Sequence, residues 1–238
     1  MSLGAEHFDV DRVIAVVIGR EGSRGLPGKN LLPIGGRPMI AHSIGHAQSA
    51  DSVGRVLCST DGTEIAEAAA KAGAEVVLRP PSLASDTATV DAAVRHAVEG
   101  IDVDVVVVLY GNVPIRPEGL VDRAVRELVG SGADSVQSYS PVGKHHPYWT
   151  VRLDEEGMVA PWEPNDVYRR QELPPAFIPD GGVIAVTRTS LFQTDSDHPH
   201  AFLGRNRRGV RNPPGSVVDV DDRIDYLVAE AMQSERRA

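Results

Sequence analysis

Two runs in this sequence, Arg12 to Ile18 and Val103 to Leu109, are apolar at nearly every position rather than at every second one. A strand of that kind needs cover on both faces, as in a sheet with helices above and below it. The intervening segments offer that cover. Pro38 opens a helical stretch through about Ala47, proline being suited to a first helical turn. Glu64 to Ala72 is an alanine-rich helix stopped at Gly73. Val53 to Ser59 and Ala74 to Leu78 read as strands. Ser85, Asp86 and Thr87 offer caps for a helix whose Val90, Val94, Ala97 and Val98 recur at helical spacing. A helix from Pro117 to about Val129 and a strand from Ala133 to Ser140 follow. Strands alternating with helices predict right-handed crossovers, hence an α/β fold with an open, mostly parallel sheet and helices on both faces.

That alternation stops at residue 141. Residues 141–180 are proline-rich, contain both tryptophans and hold no helix of normal length. They read as an arm inserted into a single domain spanning 1–238, with short strands around Tyr148 to Leu153. Gly182 to Thr187 and Val217 to Val220 read as a return to the main sheet. Residues 195–215 read as a polar surface loop, and Asp221 or Asp222 as the cap of a last helix through about Ser234.

Composition excludes several classes. The net charge of −9 is opposite to that of a non-specific nucleic-acid binder. No window approaches the roughly 18 unbroken apolar residues of a membrane span. The first dozen residues lack the basic start and apolar core of a signal peptide. Cys58, the lone cysteine, lies in a strand pattern and reads as a core thiol, which suits a reducing, cytoplasmic setting.

The segment Gly19-Arg20-Glu21-Gly22-Ser23-Arg24-Gly25-Leu26-Pro27-Gly28-Lys29-Asn30 carries the most chemistry. It directly follows a buried strand, and ligands of open α/β sheets sit at the carboxyl ends of strands. Glycines let backbone N–H groups approach a phosphate. Arg20, Arg24 and Lys29 add three cations, arginine for forked contacts and lysine as a point charge. The spacing is neither that of a P-loop nor that of the dinucleotide fingerprint. A basic surface loop is the plain alternative, and cations set among four glycines directly after a core strand disfavour it. Further on, Arg79 emerges at a strand end, where a structural ion pair competes evenly with ligand binding. In Val217-Val218-Asp219-Val220-Asp221 the two aspartates share a face if the segment is extended. Two hard oxygen ligands suit magnesium bound to phosphates, with a helix cap and a strand end as the plain alternative.

Gly22-Ser23-Arg24, Leu26-Pro27-Gly28-Lys29-Asn30-Leu31 and Gly35-Gly36-Arg37-Pro38-Met39-Ile40 resemble the sugar nucleotidyltransferases, whose fold is the nucleotide-diphospho-sugar transferase type. Ser59-Thr60-Asp61, Arg79-Pro80 with Leu83-Ala84-Ser85-Asp86-Thr87, His145-His146-Pro147 and Arg170-Gln171 through Phe177 resemble the acylneuraminate cytidylyltransferases in particular. The resemblance covers about Arg12 to Asp225. It implies transfer of CMP from CTP to an acidic 2-keto-3-deoxy sugar, with release of pyrophosphate. It implies that Arg20, Ser23, Arg24, Lys29 and Asn30 hold the triphosphate, that Arg79 lies by the nucleoside, and that Asp219 and Asp221 hold Mg2+. It also implies a homodimer through residues 141–180, with Arg170 reaching a neighbouring subunit's sugar site. Arg20, Lys29, Asp219 and Asp221 are the catalytic candidates.

The sugar side departs from the family pattern. Tyr110 replaces a glutamine, Asp180 an asparagine, Ile184 a tyrosine and Val90 a serine, and Trp149 stands where a lysine is expected. Gly111-Asn112-Val113-Pro114 is similar to the Gly-Asp-x-Pro of the related CMP-Kdo synthetases, with Asn112 a weaker, uncharged metal ligand. These changes predict an altered acidic sugar. The rival readings are a CMP-Kdo-type synthetase, a dimeric nucleotide binder without catalysis, and, with less support, a glycosyltransferase.

Overall fold

A computed structural model describes residues 9–22, 25–85, 87–193, 198 and 200–236. The strands are β1 (Val13–Ile18), β2 (Pro33–Ile34), β3 (Arg37–Pro38), β4 (Arg55–Thr60), β5 (Glu75–Leu78), β6 (Val105–Tyr110), β7 (Ser135–Pro141), β8 (Val151–Leu153), β9 (Val159–Pro161), β10 (Phe177–Thr187) and β11 (Arg207–Arg211). The helices are α1 (Met39–Gln48), α2 (Thr63–Lys71), α3 (Val90–Ala97), α4 (Leu120–Ser131), α5 (Arg188–Leu191) and α6 (Arg223–Glu235). Seven strands form the main sheet in the order β11-β7-β10-β6-β1-β4-β5. All neighbours are parallel except β10, which runs antiparallel to β6 and β7. Among the described residues no helix is long and apolar enough to cross a membrane.

The doubly apolar runs behave as their composition dictates. Along β1, Val13, Ala15 and Val17 pack toward α1, α2 and α4, while Ile14 and Val16 pack toward α3. β6 divides the same way, with Val107 and Leu109 on one face and Val106 and Val108 on the other. Each such valine, leucine or isoleucine contributes about 1.5–3 kcal/mol of burial, which places β1 and β6 at the rigid centre. Cys58 packs in this core, where burial pushes its thiol up to about 12, so it stays protonated and inert.

Three local expectations need correction. Residues 217–220 do not join the main sheet: Val218 makes an isolated antiparallel bridge to Ile115. The segment is still extended, because Val218 N–H donates to Ile115 O and Val220 N–H to Asn112 O. Val218 and Val220 therefore point inward, and Asp219 and Asp221 outward. The 195–215 loop contains β11, a sheet edge strand hidden by its polar sequence. Helix α3 is capped by Thr89, whose Oγ1 accepts from Ala92 N, rather than by Ser85 or Thr87; Asp86 lies outside the described residues. Of the two caps expected for the last helix, α6, Asp222 is the one used, through a reciprocal box with Asp225.

After β6 the chain turns around Arg116, a fully buried cation. Its guanidinium donates to the carbonyls of Gly182 (2.6 Å), Tyr110 (3.1 Å) and Val113 and to Ser43 Oγ (2.9 Å). Burial lowers its pKa to about 9, which leaves it charged at neutral pH. One side chain thus fixes the 110–116 turn against β10 and α1. Arg116→Met would strand several buried acceptors but also remove a buried charge, for a net cost of about 3 kcal/mol. A melting temperature lower by about 6–12 °C is expected, since about 1 kcal/mol moves a protein of this size by roughly 2–4 °C. Calorimetry checks this.

Residues 142–176 carry the β8–β9 hairpin and several exposed apolar side chains. His146 is buried there, its Nε2 3.0 Å from Pro174 O and its Nδ1 accepting from Tyr148 N. His146 is therefore a local structural pin.

Candidate active site

The β1 loop leaves the sheet where β1 parts β4 and β6, the switch point at which an open α/β sheet forms its crevice. Gly19 N–H donates to Ser59 O at 3.1 Å. Asn30, nearly buried, returns a side-chain bond from Nδ2 to Arg20 O at 2.9 Å, so the loop closes on its own start. Gly25 passes so close to residue 221 that a Cβ there would lie 2.6 Å from Asp221 O. Gly111 is equally constrained, with 2.9 Å left to Asn30 Oδ1 and 3.0 Å to Ile18 O. These approaches bring the β1 loop, the turn after β6 and residues 219–221 together. Ser23 and Arg24 lie outside the described residues.

Where the three segments meet, Lys29 Nζ lies 2.7 Å from Asp221 Oδ1. Asn112 Nδ2 donates to Asp219 Oδ1 at 2.5 Å and to Val220 O at 3.2 Å, and lies 3.4 Å from Asp221 Oδ1. Asp219 is exposed by surface area, yet many protein atoms crowd its carboxyl. Crowding by protein atoms, and then the Asp221 charge, raise its carboxyl from 3.8 to about 6, with Lys29 and Arg116 opposing. Two carboxylates that repel each other beside a lysine form a place where added positive charge is favoured. Among the described residues no group of three or more His, Cys, Asp or Glu converges. A cation here would take two protein carboxylates and complete its shell from phosphate and water, which fits magnesium's preference.

Lys29, Asn112 and Asp221 border a cavity of about 410 Å³, with Arg20, Asn30, Arg79 and Tyr110 also on its wall. Asn30 Oδ1 and Arg79 Nε are buried there without a hydrogen-bond partner among the described residues. Such groups cost free energy unless a ligand or solvent satisfies them. Arg79 makes no ion pair among the described residues; its Nη2 holds Gly19 O at 2.7 Å and Ser59 O at 2.9 Å, locking the ends of β1 and β4. Burial lowers its pKa. Tyr110 forms part of the wall, its phenol pKa raised by burial and by Asp219.

Two candidates stand apart. Asp180 accepts from Ser138 Oγ, Ser140 Oγ, Asn212 Nδ2 and Gly182 N at 2.5–3.0 Å, so both its oxygens are engaged in holding the β10 bulge. Arg170 sits in the 3-10 turn Arg170–Glu172 and is not on the cavity wall. Sequence reasoning gave no role to Arg116, which positions both Tyr110 and Gly182. Its one signal was an arginine directly after an apolar Val-Pro-Ile run.

Known proteins are similar to this chain in sequence and in fold. The chain is 28% identical over 217 residues to an N-acylneuraminate cytidylyltransferase of Streptococcus agalactiae, covering 90% of this chain and 51% of the relative. It thus spans about half the length of such curated relatives. It is 28% identical over 230 residues to the CMP-N,N'-diacetyllegionaminic acid synthase of Legionella pneumophila, covering 93% of this chain and 96% of the relative. Its fold matches a CMP:2-keto-3-deoxy-manno-octonic acid synthetase solved with CTP, with a TM-score of 0.74, 18% identity, and coverage of 94% and 99% of the two chains. The family model described as cytidylyltransferase matches residues 14–162, which include the β1 loop and the turn after β6. The chain therefore belongs to the cytidylyltransferase family.

Proposed function

We propose that this protein transfers CMP from CTP to an acidic, nonulosonic-type 2-keto-3-deoxy sugar and releases pyrophosphate. The observation that carries this reading is the contact of Lys29 with Asp221 across one cavity at the carboxyl ends of β1 and β6. It supports a reading in which Lys29, a cation beside a carboxylate pair, binds phosphate. The sugar's anomeric hydroxyl attacks the α-phosphorus, the bond to the β-phosphate oxygen breaks, pyrophosphate leaves and the hydroxyl proton is released. Arg20, Ser23, Arg24, Lys29 and Asn30 bind the triphosphate, and the cations stabilise charge that grows on the leaving group. Asp219 and Asp221 hold Mg2+, which supplies charge neutralisation at the phosphates when bound. Arg79 and Asn112 keep the cavity walls in register, and Tyr110 borders the acceptor.

Asp219 must be ionised for this role. Its carboxyl is raised to about 6, so activity is expected to fall as pH drops through about 6, as this group takes up a proton. A pH profile of kcat/KM for CTP checks that limb.

The exposed Leu153, Met158, Val159 and Trp162 on the 142–176 segment support a homodimer, with Arg170 serving the partner's acceptor site. A cytoplasmic location, where CTP is made, belongs to the same reading. The direct test is pyrophosphate release with CTP and magnesium across a panel of eight- and nine-carbon keto acids. Release with a nine-carbon acid supports the reading. Release only with an eight-carbon acid would move the chain to the CMP-Kdo-type branch. CTP binding without release would favour a nucleotide-binding protein without catalysis.

A further inference from the structure

Strand β10 does not run straight past the carboxylate pair. Its pairing with β7 shifts register between Pro179 and Ile184, and Asp180, Gly181 and Gly182 lie in the resulting bulge. Gly181 takes a φ of +73°, the left-handed region that favours glycine. A Cβ there would lie 3.1 Å from Asp219 Oδ2, so the bulge backbone backs directly onto one oxygen of that carboxylate. The other oxygen, Oδ1, accepts from Asn112. Asp219 is thus oriented between an amide on one side and the bulge on the other.

The bulge is in turn clamped from both sides. Arg116 Nε donates to Gly182 O at 2.6 Å. Opposite it, Asp180 Oδ1 accepts from Gly182 N at 3.0 Å and from Ser138 Oγ at 2.5 Å. Asp180 Oδ2 accepts from Ser140 Oγ at 2.9 Å and from Asn212 Nδ2 at 2.8 Å. Asn212 is buried and cannot turn over without loss, because its Oδ1 accepts from Arg123 Nη2 at 2.8 Å. A relay from Arg123 on α4 through Asn212 and Asp180 therefore ends on the peptide that backs Asp219. Asp180 is not on the wall of the 410 Å³ cavity, and a substrate could reach its oxygens only by displacing one of these four donors.

We propose that Asp180 is a positioning residue. With Arg116 it holds the Gly181–Gly182 bulge behind Asp219 and so sets that carboxylate for magnesium, without touching the acceptor acid. This rests on the cytidylyltransferase reading above and on its assignment of Asp219 to the ion. Residues that orient a metal ligand from behind typically change affinity or activity by about 10–100-fold when altered.

The test uses Asp180→Asn and the double variant Asp180→Asn/Asn212→Asp. The single change keeps the size of the side chain but turns one acceptor into an amide N–H, which then faces either Asn212 Nδ2 or the Gly182 N–H. The second change makes residue 212 an acceptor that still takes Arg123, so the relay is restored with the same number of charges. Two quantities are read at equal free magnesium: the magnesium midpoint of the rise in melting temperature with CTP present, and the kinetics of pyrophosphate release. Asp180→Asn is expected to raise the magnesium midpoint and lower kcat by about tenfold each, with KM for the acceptor acid unchanged. The double variant should return both toward wild type. A rise in KM for the acceptor acid with an unchanged magnesium midpoint would make Asp180 a substrate contact and overturn the proposal. So would a lower ligand-free melt with the midpoint in place, which marks a purely structural role, or a double variant no better than the single one. A wild type with neither a magnesium-dependent shift nor pyrophosphate release would remove the parent reading, and the proposal with it. An active wild type whose magnesium midpoint is unmoved by Asp180→Asn would remove the proposal alone.

Discussion

Replacing Lys29 by alanine is expected to lower kcat/KM for CTP by about 10²–10³-fold, the range seen when one preorganised donor to developing charge is removed. The lysine is well placed for such a role. Its side chain is only 17% exposed, and its ammonium already sits at the cavity wall beside Asp221. Its effect on stability should be small, because Asp221 is 73% exposed and a pair with so open a partner contributes about 0–1 kcal/mol. That separation makes the experiment decisive. Pyrophosphate release and thermal melting are measured on the same samples. A large kinetic loss with an unchanged melt places Lys29 on the phosphates. Unchanged turnover would remove the β1 loop from the mechanism.

Much of this site was readable before the fold was known, for identifiable physical reasons. β1 and β6 are apolar on both faces, so only a doubly covered sheet can hold them, and the loop after β1 must emerge at its carboxyl edge. The spacing of Asp219 and Asp221 survived an error about their surroundings. The segment is not a main-sheet strand, yet two backbone bonds keep it extended, and extension alone sets the alternation. What escaped reading depended on partners distant in sequence. β11 has the pattern of a charged loop, because an edge strand needs only backbone pairing with β7. Asp180 looked available for a ligand because its neighbours Ser138, Ser140 and Asn212 lie on other segments. Arg116 is buried although its residue type belongs at the surface, and four carbonyl or hydroxyl acceptors brought together by the turn hold it there.

Asp219→Asn should separate catalysis from stability in the opposite direction. Turnover is expected to fall by about 10³-fold, equivalent to roughly 4 kcal/mol of transition-state stabilisation, because one of two charged ligands for magnesium is lost. The ligand-free protein, in contrast, should become more stable at pH 8. The reasoning follows from the raised carboxyl, at about 6 against an ordinary 3.8. A raised acid binds its proton more tightly in the folded state, so its favourable contribution is complete below the ordinary value and disappears as pH rises through about 6. At pH 8 the ionised Asp219 faces Asp221 in a crowded cleft, whereas asparagine is neutral and can still accept from Asn112. Solvent at the exposed edge screens this repulsion, so the gain is about 1 kcal/mol, or roughly 2–4 °C in melting temperature. The difference should vanish near pH 4, where the wild-type carboxyl is protonated in the fold. Magnesium with CTP should reverse the order at pH 8, because only the wild type has both carboxylates to bind the ion. Melts of both proteins at the two pH values, with and without magnesium and CTP, check all three outcomes. A variant less stable than wild type at pH 8 without ligands would make Asp219 a structural acceptor for Asn112 and take the metal role from it.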